Sequence, residues 1–286
     1  MQKRAISSRF SEKAVSYEKY ALVQKKMADH LSQLVTEIRN ENEVQNILEI
    51  GCGTGGLTRV IRSHFSAAHY EAVEIASGML EQAKNNLEQH GLICSFSQAD
   101  AEEWVWEQQA KSKDLVVSGA CFQWFAKPAH TLKGLRRILK PGAPLIFSTF
   151  GPDTFWELHD SFANAHAILG EKGVRHGLEF LSARDWHELL EQAGFTDIEV
   201  IRKYERLTYP GVRDFLHAVK AVGASASMEQ GSGMGRRKLL AEMIRYYEQT
   251  YKREVGIPVT YEAIYVRAVC SFDDFCYRYE NGYQIK

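Results

Sequence analysis

A short apolar run, Val44 to Ile50, is cut off by Gly51-Cys52-Gly53-Thr54-Gly55-Gly56, and no other feature restricts the fold of this chain as much. A run of that length bounded by glycine reads as a strand buried on both faces. Glycines directly behind it let the backbone turn sharply and approach a ligand with no Cβ in the way. The pattern then alternates. Helical stretches at 56–65, 79–89 and 129–139 are interleaved with strands at 70–75, 93–97, 114–118 and 144–150. Such alternation means βαβ units, right-handed crossovers and a parallel sheet.

The flanks follow other rhythms. Residues 16–39 read as one amphipathic helix, with Tyr17, Tyr20, Ala21, Val23, Gln24, Met27, Leu31 and Leu34 near one face and the turn-prone 39–43 segment closing it. After Gly151-Pro152, helices fill 153–193, a strand returns at 198–207 and a helix spans 213–222. A glycine- and serine-rich loop then runs to Gly235, followed by a basic helix (236–253) and a strand at 259–269. The expectation is an α/β fold, a doubly wound and mostly parallel seven-stranded sheet with a helical cap insertion. Its parts are a helical lid over 1–40, a ligand-binding core over 41–152 and a cap over 153–195. The sheet is completed over 196–269, and 270–286 form a tail.

Composition narrows the partners. Apolar residues make up 45% of the 286 and charged ones 25%, enough for a full core around one large domain. A net charge of -1 gives no overall field toward nucleic acid or anionic membrane, so neither is expected as a partner. No apolar run approaches the roughly 18–20 residues of a membrane span, and the first ten residues are not expected to be a signal peptide. The cysteines, Cys52, Cys94, Cys121, Cys270 and Cys276, are scattered and form no C-x-x-C pair. Neither disulfides nor a zinc site is expected, the histidines lack ligand spacing, and a reducing cytoplasm is the natural location.

The glycine turn by itself admits two ligands. Gly51, Gly53 and Gly56 satisfy G-x-G-x-x-G, and Glu74 lies where a dinucleotide enzyme places its ribose-binding acid. Three features point elsewhere. Glu49 precedes the first glycine, a long helix precedes the first strand, and Gln98-Ala99-Asp100-Ala101 puts an acid at the end of the third strand. Together these resemble the class I S-adenosylmethionine-dependent methyltransferases, which have a Rossmann-like fold. The resemblance implies that Glu49, Gly51, Gly53, Gly55, Glu74, Asp100, Ala101 and Ser118 bind that cofactor. Gly51 and Gly53 would line its methionine moiety, Glu74 would accept both ribose hydroxyls, and Asp100 would meet the adenine. A strand-end carboxylate can equally cap a helix, and that alternative stays open for Glu74 and Asp100.

The resemblance goes further in Arg9-Phe10-Ser11, Ala14, Tyr17, Tyr20-Ala21 and Gln24, in Ser118 to Trp124 with its Gln123-Trp124 pair, and in Phe147 to Leu158. It continues through Lys220 to Ala224, Gly235-Arg236-Arg237 and Thr260-Tyr261-Glu262. These segments are similar to the malonyl-acyl-carrier-protein O-methyltransferases of biotin synthesis. Gly119 and Met234 depart from that family's usual Asn and Thr, and the seventeen residues from Cys270 have no counterpart in it. The implied reaction methylates the free carboxyl of a malonyl thioester on acyl-carrier protein, or on coenzyme A, and so primes pimeloyl synthesis. Such an enzyme needs no general base, because a carboxylate is already ionised near neutral pH. Arg175, Arg213 and Lys220 are candidate binders of that carboxylate, since cations suit it, although each could equally be a solvated surface charge. Tyr17 and Gln24 are candidate lid residues. Arg236-Arg237-Lys238, with Lys133, Arg136, Arg137 and Lys140, are candidates for docking an acidic carrier. No metal is expected; the oligomeric state is open, with a monomer favoured. Two rivals remain: a methyltransferase for another small molecule, and a non-catalytic S-adenosylmethionine-binding protein.

Overall fold

The computed structural model describes residues 3–38, 43–223 and 234–272. Seven strands form one sheet in the order β3-β2-β1-β4-β5-β7-β6. These are β1 (Asn46–Ile50), β2 (His69–Glu74), β3 (Ser95–Gln98), β4 (Leu115–Gly119), β5 (Pro144–Phe150), β6 (Phe195–Tyr209) and β7 (Ile257–Cys270). The first five run parallel, and β7 is antiparallel to both β5 and β6. The doubly wound, mostly parallel seven-stranded sheet is therefore present. Four of the five residues of β1 are buried, which is why it reads as a largely apolar run.

Strand order reverses between β1 and β4, and in open α/β sheets ligands bind beyond the carboxyl ends of the strands at such a reversal. Register brings those ends level: Ile50 lies opposite Val73, and Glu74 opposite Gln98. Helices α3 (Gly56–His64), α4 (Ser77–Gln89), α5 (Ala101–Glu107) and α6 (Pro128–Ile138) make the crossovers. The sequence reading did not anticipate α5. It is only seven residues long and depends on Asp100, whose side chain accepts from the Glu102 amide at its start.

The N-terminal segment differs from the single helix expected. It forms two, α1 (Lys3–Tyr20) and α2 (Leu22–Thr36), broken at the fully buried Ala21. Neither Gly nor Pro marks this break; packing imposes it. Helix α1 lies directly on α4, where a Cβ added to Gly78 would sit 2.5 Å from the Ser11 carbonyl oxygen. The Ser7 hydroxyl donates to the Ile75 carbonyl at 2.9 Å, so α1 crosses the carboxyl edge of the sheet.

Of the helices expected in a cap over 153–195, only α7 (Trp156–Leu169) stands apart from the sheet layers, packed against α10 (Met234–Tyr251). Helix α8 (Ala183–Ala193) instead covers β6 beside α6, and its buried Trp186 meets Phe147 at 5.2 Å. Helix α9 (Val212–Ala221) packs on α1 and α10. Strand β6 starts three residues earlier than expected, because a bulge between Thr196 and Glu199, with Asp197 at φ 47°, carries the pairing past an irregular stretch. Most of the glycine- and serine-rich loop, and of the tail from Cys270, lies outside the described residues. Among those described, no helix is long and apolar enough to cross a membrane.

Candidate functional site

Three cavities adjoin at the carboxyl edge. The first lies under α1, lined by Gly51, Glu74, Asp100 and Ala101 with Lys3 and Ile6 above them. A second surrounds the glycine turn, taking in Glu49, Gly51, Gly53, Thr54 and Gly55 with Tyr17 and Gln24. The third is walled by Phe10, Phe150, Phe155, Phe180 and Tyr261. Gly51 belongs to the first two, Tyr17 and Gln24 to the second and third, and Trp124 to the first and third. Of the eight residues expected to hold the cofactor, seven therefore line one connected region.

Each has a local reason to be there. Gly51 and Gly53 have φ values of 70° and 54°, in the left-handed region that glycine tolerates. A Cβ on Gly53 would meet nothing within 4 Å, so a ligand has room against this backbone. Gly55 does something else. Its φ is 84°, and a Cβ there would strike Leu87 and Ala83 of α4, so this glycine lets α3 and α4 approach.

Glu74 ends β2 and braces the turn: its carboxylate accepts from the Gly53 amide at 3.0 Å and the Ala76 amide at 2.9 Å. Burial raises its pKa, and these bonds oppose the rise. A carboxylate has about four lone-pair sites, so two remain for hydroxyls of a ligand. Asp100 both caps α5 and pairs with Lys3, whose ammonium also reaches Glu102 at 2.7 Å. Lys3 thus ties α1 over the first cavity; nothing in the sequence near it signalled that role. Glu49 is buried and accepts from the Tyr70 hydroxyl at 2.8 Å, and burial lifts its pKa to about 7. Ser118 lines none of the three cavities. It is fully buried and donates to the Ile50 carbonyl at 2.7 Å, joining β4 to β1.

The aromatic cavity is drier than the sequence suggested. Arg175, Arg213 and Lys220 are all exposed, and none lines it. Tyr17 does, and burial, with Glu74 nearby, holds its hydroxyl protonated. Gln123 is fixed, donating to the Ala120 carbonyl at 2.6 Å and accepting from Thr149 at 3.1 Å. Two lining residues have strained backbones, Ala120 at φ 50° and Phe155 at φ 61°. Sequence reasoning passed over His159 and His176, which also face this cavity. The signal for them was weak, because one lies on α7 and the other in the stretch between α7 and α8, and neither carries a spacing pattern. No group of three His, Cys, Asp or Glu among the described residues could hold a metal ion.

Comparison with known proteins places this arrangement. Residues 21–200 match a family described as a methyltransferase domain. The malonyl-[acyl-carrier protein] O-methyltransferase of Brevibacillus brevis is 92% identical over 271 residues, covering 95% of this chain and 98% of that one. Proteins of the same name from Halalkalibacterium halodurans and Paenibacillus sp. are 41% and 38% identical, each spanning 93% of this chain and 98% of their own. Among solved structures, a putative methyltransferase from Bacillus halodurans superposes with a TM-score of 0.60 at 16% identity, covering 85% of this chain and 98% of that one. The YcgJ protein of Bacillus subtilis gives 0.59 at 14% identity, covering 86% and 100%. At these identities the structures speak for the fold alone.

Proposed function

The chain belongs to the malonyl-[acyl-carrier protein] O-methyltransferases, and from that premise we propose that it moves a methyl group from S-adenosylmethionine to the free carboxyl of a malonyl thioester on acyl-carrier protein. The observation that carries this reading is 92% identity to the Brevibacillus brevis enzyme across 95% of the chain. The site agrees with it. Glu74, Asp100, Gly51 and Gly53 suit the ribose, adenine and methionine parts of the donor, and the open space beside Gly53 fits a ligand held against the backbone. When bound, S-adenosylmethionine supplies an activated methyl on a sulfonium.

The protein's own task is then alignment and exclusion of water. Tyr17 and Gln24 line both the glycine-turn cavity and the aromatic one, so they stand where the two substrates meet. The aromatic walls keep the acceptor carboxylate poorly solvated and hence reactive. No side chain has to remove a proton. The resulting ester masks a charge that an apolar elongation channel would not tolerate. Arg236, Arg237 and Lys238 are exposed at the start of α10, and Arg236 lies near enough to the cavity residue His176 to add to the lowering of its pKa by burial and His166. That position supports a docking role toward an acidic carrier, and preference for carrier protein over coenzyme A. Cys52, Cys94, Cys121 and Cys270 are free, which supports a cytoplasmic setting.

Incubation with labelled S-adenosylmethionine and malonyl- or acetyl-loaded carrier protein tests the reaction. Malonyl carrier protein should be labelled and acetyl carrier protein should not, since acetyl offers no free carboxylate. Equal labelling of both would place the methyl elsewhere and end this reading.

Glu49 provides a second test. Its raised pKa means that the free enzyme holds a proton there up to about pH 7. A cationic amino group of the ligand entering that cavity favours the carboxylate, so binding expels the proton and affinity rises from pH 6 to 7, below the α-amino range. Calorimetric titration of S-adenosylhomocysteine at pH 6.5, in two buffers of different ionisation enthalpy, should show proton release that Glu49→Gln abolishes. Equal release by the variant would assign the proton to another group.

A further inference from the structure

We propose that His159 binds the acceptor carboxylate, and that this enzyme selects its acid by a neutral hydrogen bond inside the aromatic cavity rather than by an arginine ion pair. The inference rests on the reaction proposed above and names the residue that recognises its substrate. Among the described residues, no lysine or arginine side chain lines the third cavity. A carboxylate entering it must therefore be met by uncharged donors.

Several of the polar side chains there are already engaged. Thr154 donates to the Glu262 carbonyl and accepts from the Glu262 amide. His176 shares a 2.9 Å Nε2–Nε2 contact with His166 and stacks on Phe162 at 3.9 Å. His159 differs: its Nδ1 is buried and makes no hydrogen bond of normal geometry, with only the Thr154 backbone close enough to favour a proton on the ring. A buried nitrogen left unpaired costs free energy unless something completes it, and a ligand oxygen in this cavity would do so.

The element carrying His159 is firmly held. Phe155 precedes helix α7 as its N-cap; its amide donates to the Thr260 carbonyl at 2.7 Å and its left-handed backbone aims the helix. One turn later, the His159 amide donates to the Phe155 carbonyl at 3.0 Å. Buried Glu157 clamps the same turn to β7, accepting from the Thr260 amide at 3.1 Å and its hydroxyl at 2.5 Å. The imidazole is thus offered from a rigid support, as a substrate-orienting group requires.

Its charge state suits the task. Burial, with Arg175 and His176 nearby, lowers the His159 pKa to about 4, so the ring is neutral in the free enzyme at neutral pH. A carboxylate oxygen entering the cavity selects the tautomer with hydrogen on Nδ1. A guanidinium in the same place would neutralise the carboxylate and make it a poorer nucleophile. A single N–H from neutral imidazole orients the oxygen and leaves most of its charge for the reaction. Arg175, exposed outside the lining, adds positive potential without touching the acid.

The experiment compares His159→Phe and His159→Asn with the wild type, using malonyl carrier protein as substrate and acetyl carrier protein as competitive inhibitor. The Phe variant should raise KM for malonyl carrier protein about tenfold or more, the worth of a hydrogen bond to a charged group. It should leave the inhibition constant of acetyl carrier protein and the affinity for S-adenosylhomocysteine within about twofold. Asparagine keeps a neutral donor near the Nδ1 position, and it should restore most of the malonyl KM. Should the Phe variant not fold, His159→Ala carries the same comparison without overfilling the cavity. Unchanged malonyl KM, or an equal loss for malonyl and acetyl carrier proteins, overturns the assignment. Wild-type turnover with either of those results sinks His159 alone, whereas no wild-type turnover sinks the reaction as well.

Discussion

Gly51→Ala is expected to abolish turnover and raise the dissociation constant for S-adenosylmethionine at least tenfold. Two independent costs converge on that one methyl group. Gly51 sits at φ 70°, where a residue with a Cβ pays about 1–2 kcal/mol of backbone strain. The new Cβ would also lie 2.4 Å from Cys121 Sγ and 2.6 Å from Cys121 Cβ. Cys121 has little freedom to retreat, since it follows the strained Ala120 and leads straight into the short 3-10 turn Phe122–Trp124. The clash would therefore be relieved by moving the glycine turn itself, away from the shape that cradles the donor. Gly170→Ala is the control: it has a similar φ of 66° at the end of α7, but a Cβ there meets nothing within 4 Å. That variant should lose stability through strain alone and keep its affinity for the donor. Calorimetric titration and thermal melts of both proteins make the comparison. Normal donor affinity in Gly51→Ala would show that the turn adapts and that its shape does not set binding.

Glu74→Ala is the second large effect. Removing the carboxylate should weaken S-adenosylmethionine binding by about 1.5–3 kcal/mol, the value for hydrogen bonds to a charged group, or roughly 10- to 150-fold in dissociation constant. It also leaves the Gly53 and Ala76 amides without their present acceptor, so the turn loosens as well. Glu74→Gln separates the two contributions, because its side-chain carbonyl can still accept from one amide. It should recover much of the lost thermal stability and only part of the affinity. If both variants bind the donor as the wild type does, Glu74 is a brace for the turn and nothing more.

Much of this molecule could be read from local pattern. The run ending at Ile50 is apolar because β1 is covered on both faces, and the glycines behind it follow from a backbone that turns at positive φ. Glu74 and Asp100 could be placed because parallel strands with level carboxyl ends bring the end of β2 and the start of the loop after β3 to one edge. Other features come from contacts distant in sequence. The break at Ala21 arises where α1 must lie on α4 while α2 packs elsewhere, and no residue nearby announces it. Lys3 meets Asp100 and Glu102 across 97 and 99 positions of chain, beyond any local periodicity. Ser118 shows the reverse: the motif places it near the end of β4, and the packing of β4 on β1 turns its hydroxyl inward to the Ile50 carbonyl. Cation chemistry alone favoured Arg175, Arg213 and Lys220 for the acceptor carboxylate. Long charged side chains stay in water unless something holds them inside, and all three are exposed. Local pattern thus determined the order of the strands, the glycine turn and the acids at the ends of β2 and β3, because each answers to its immediate backbone and burial. Only the tertiary structure decided which side chains line the aromatic cavity, because that depends on how α1, α7, α9 and β7 come together around a space that no single segment encodes.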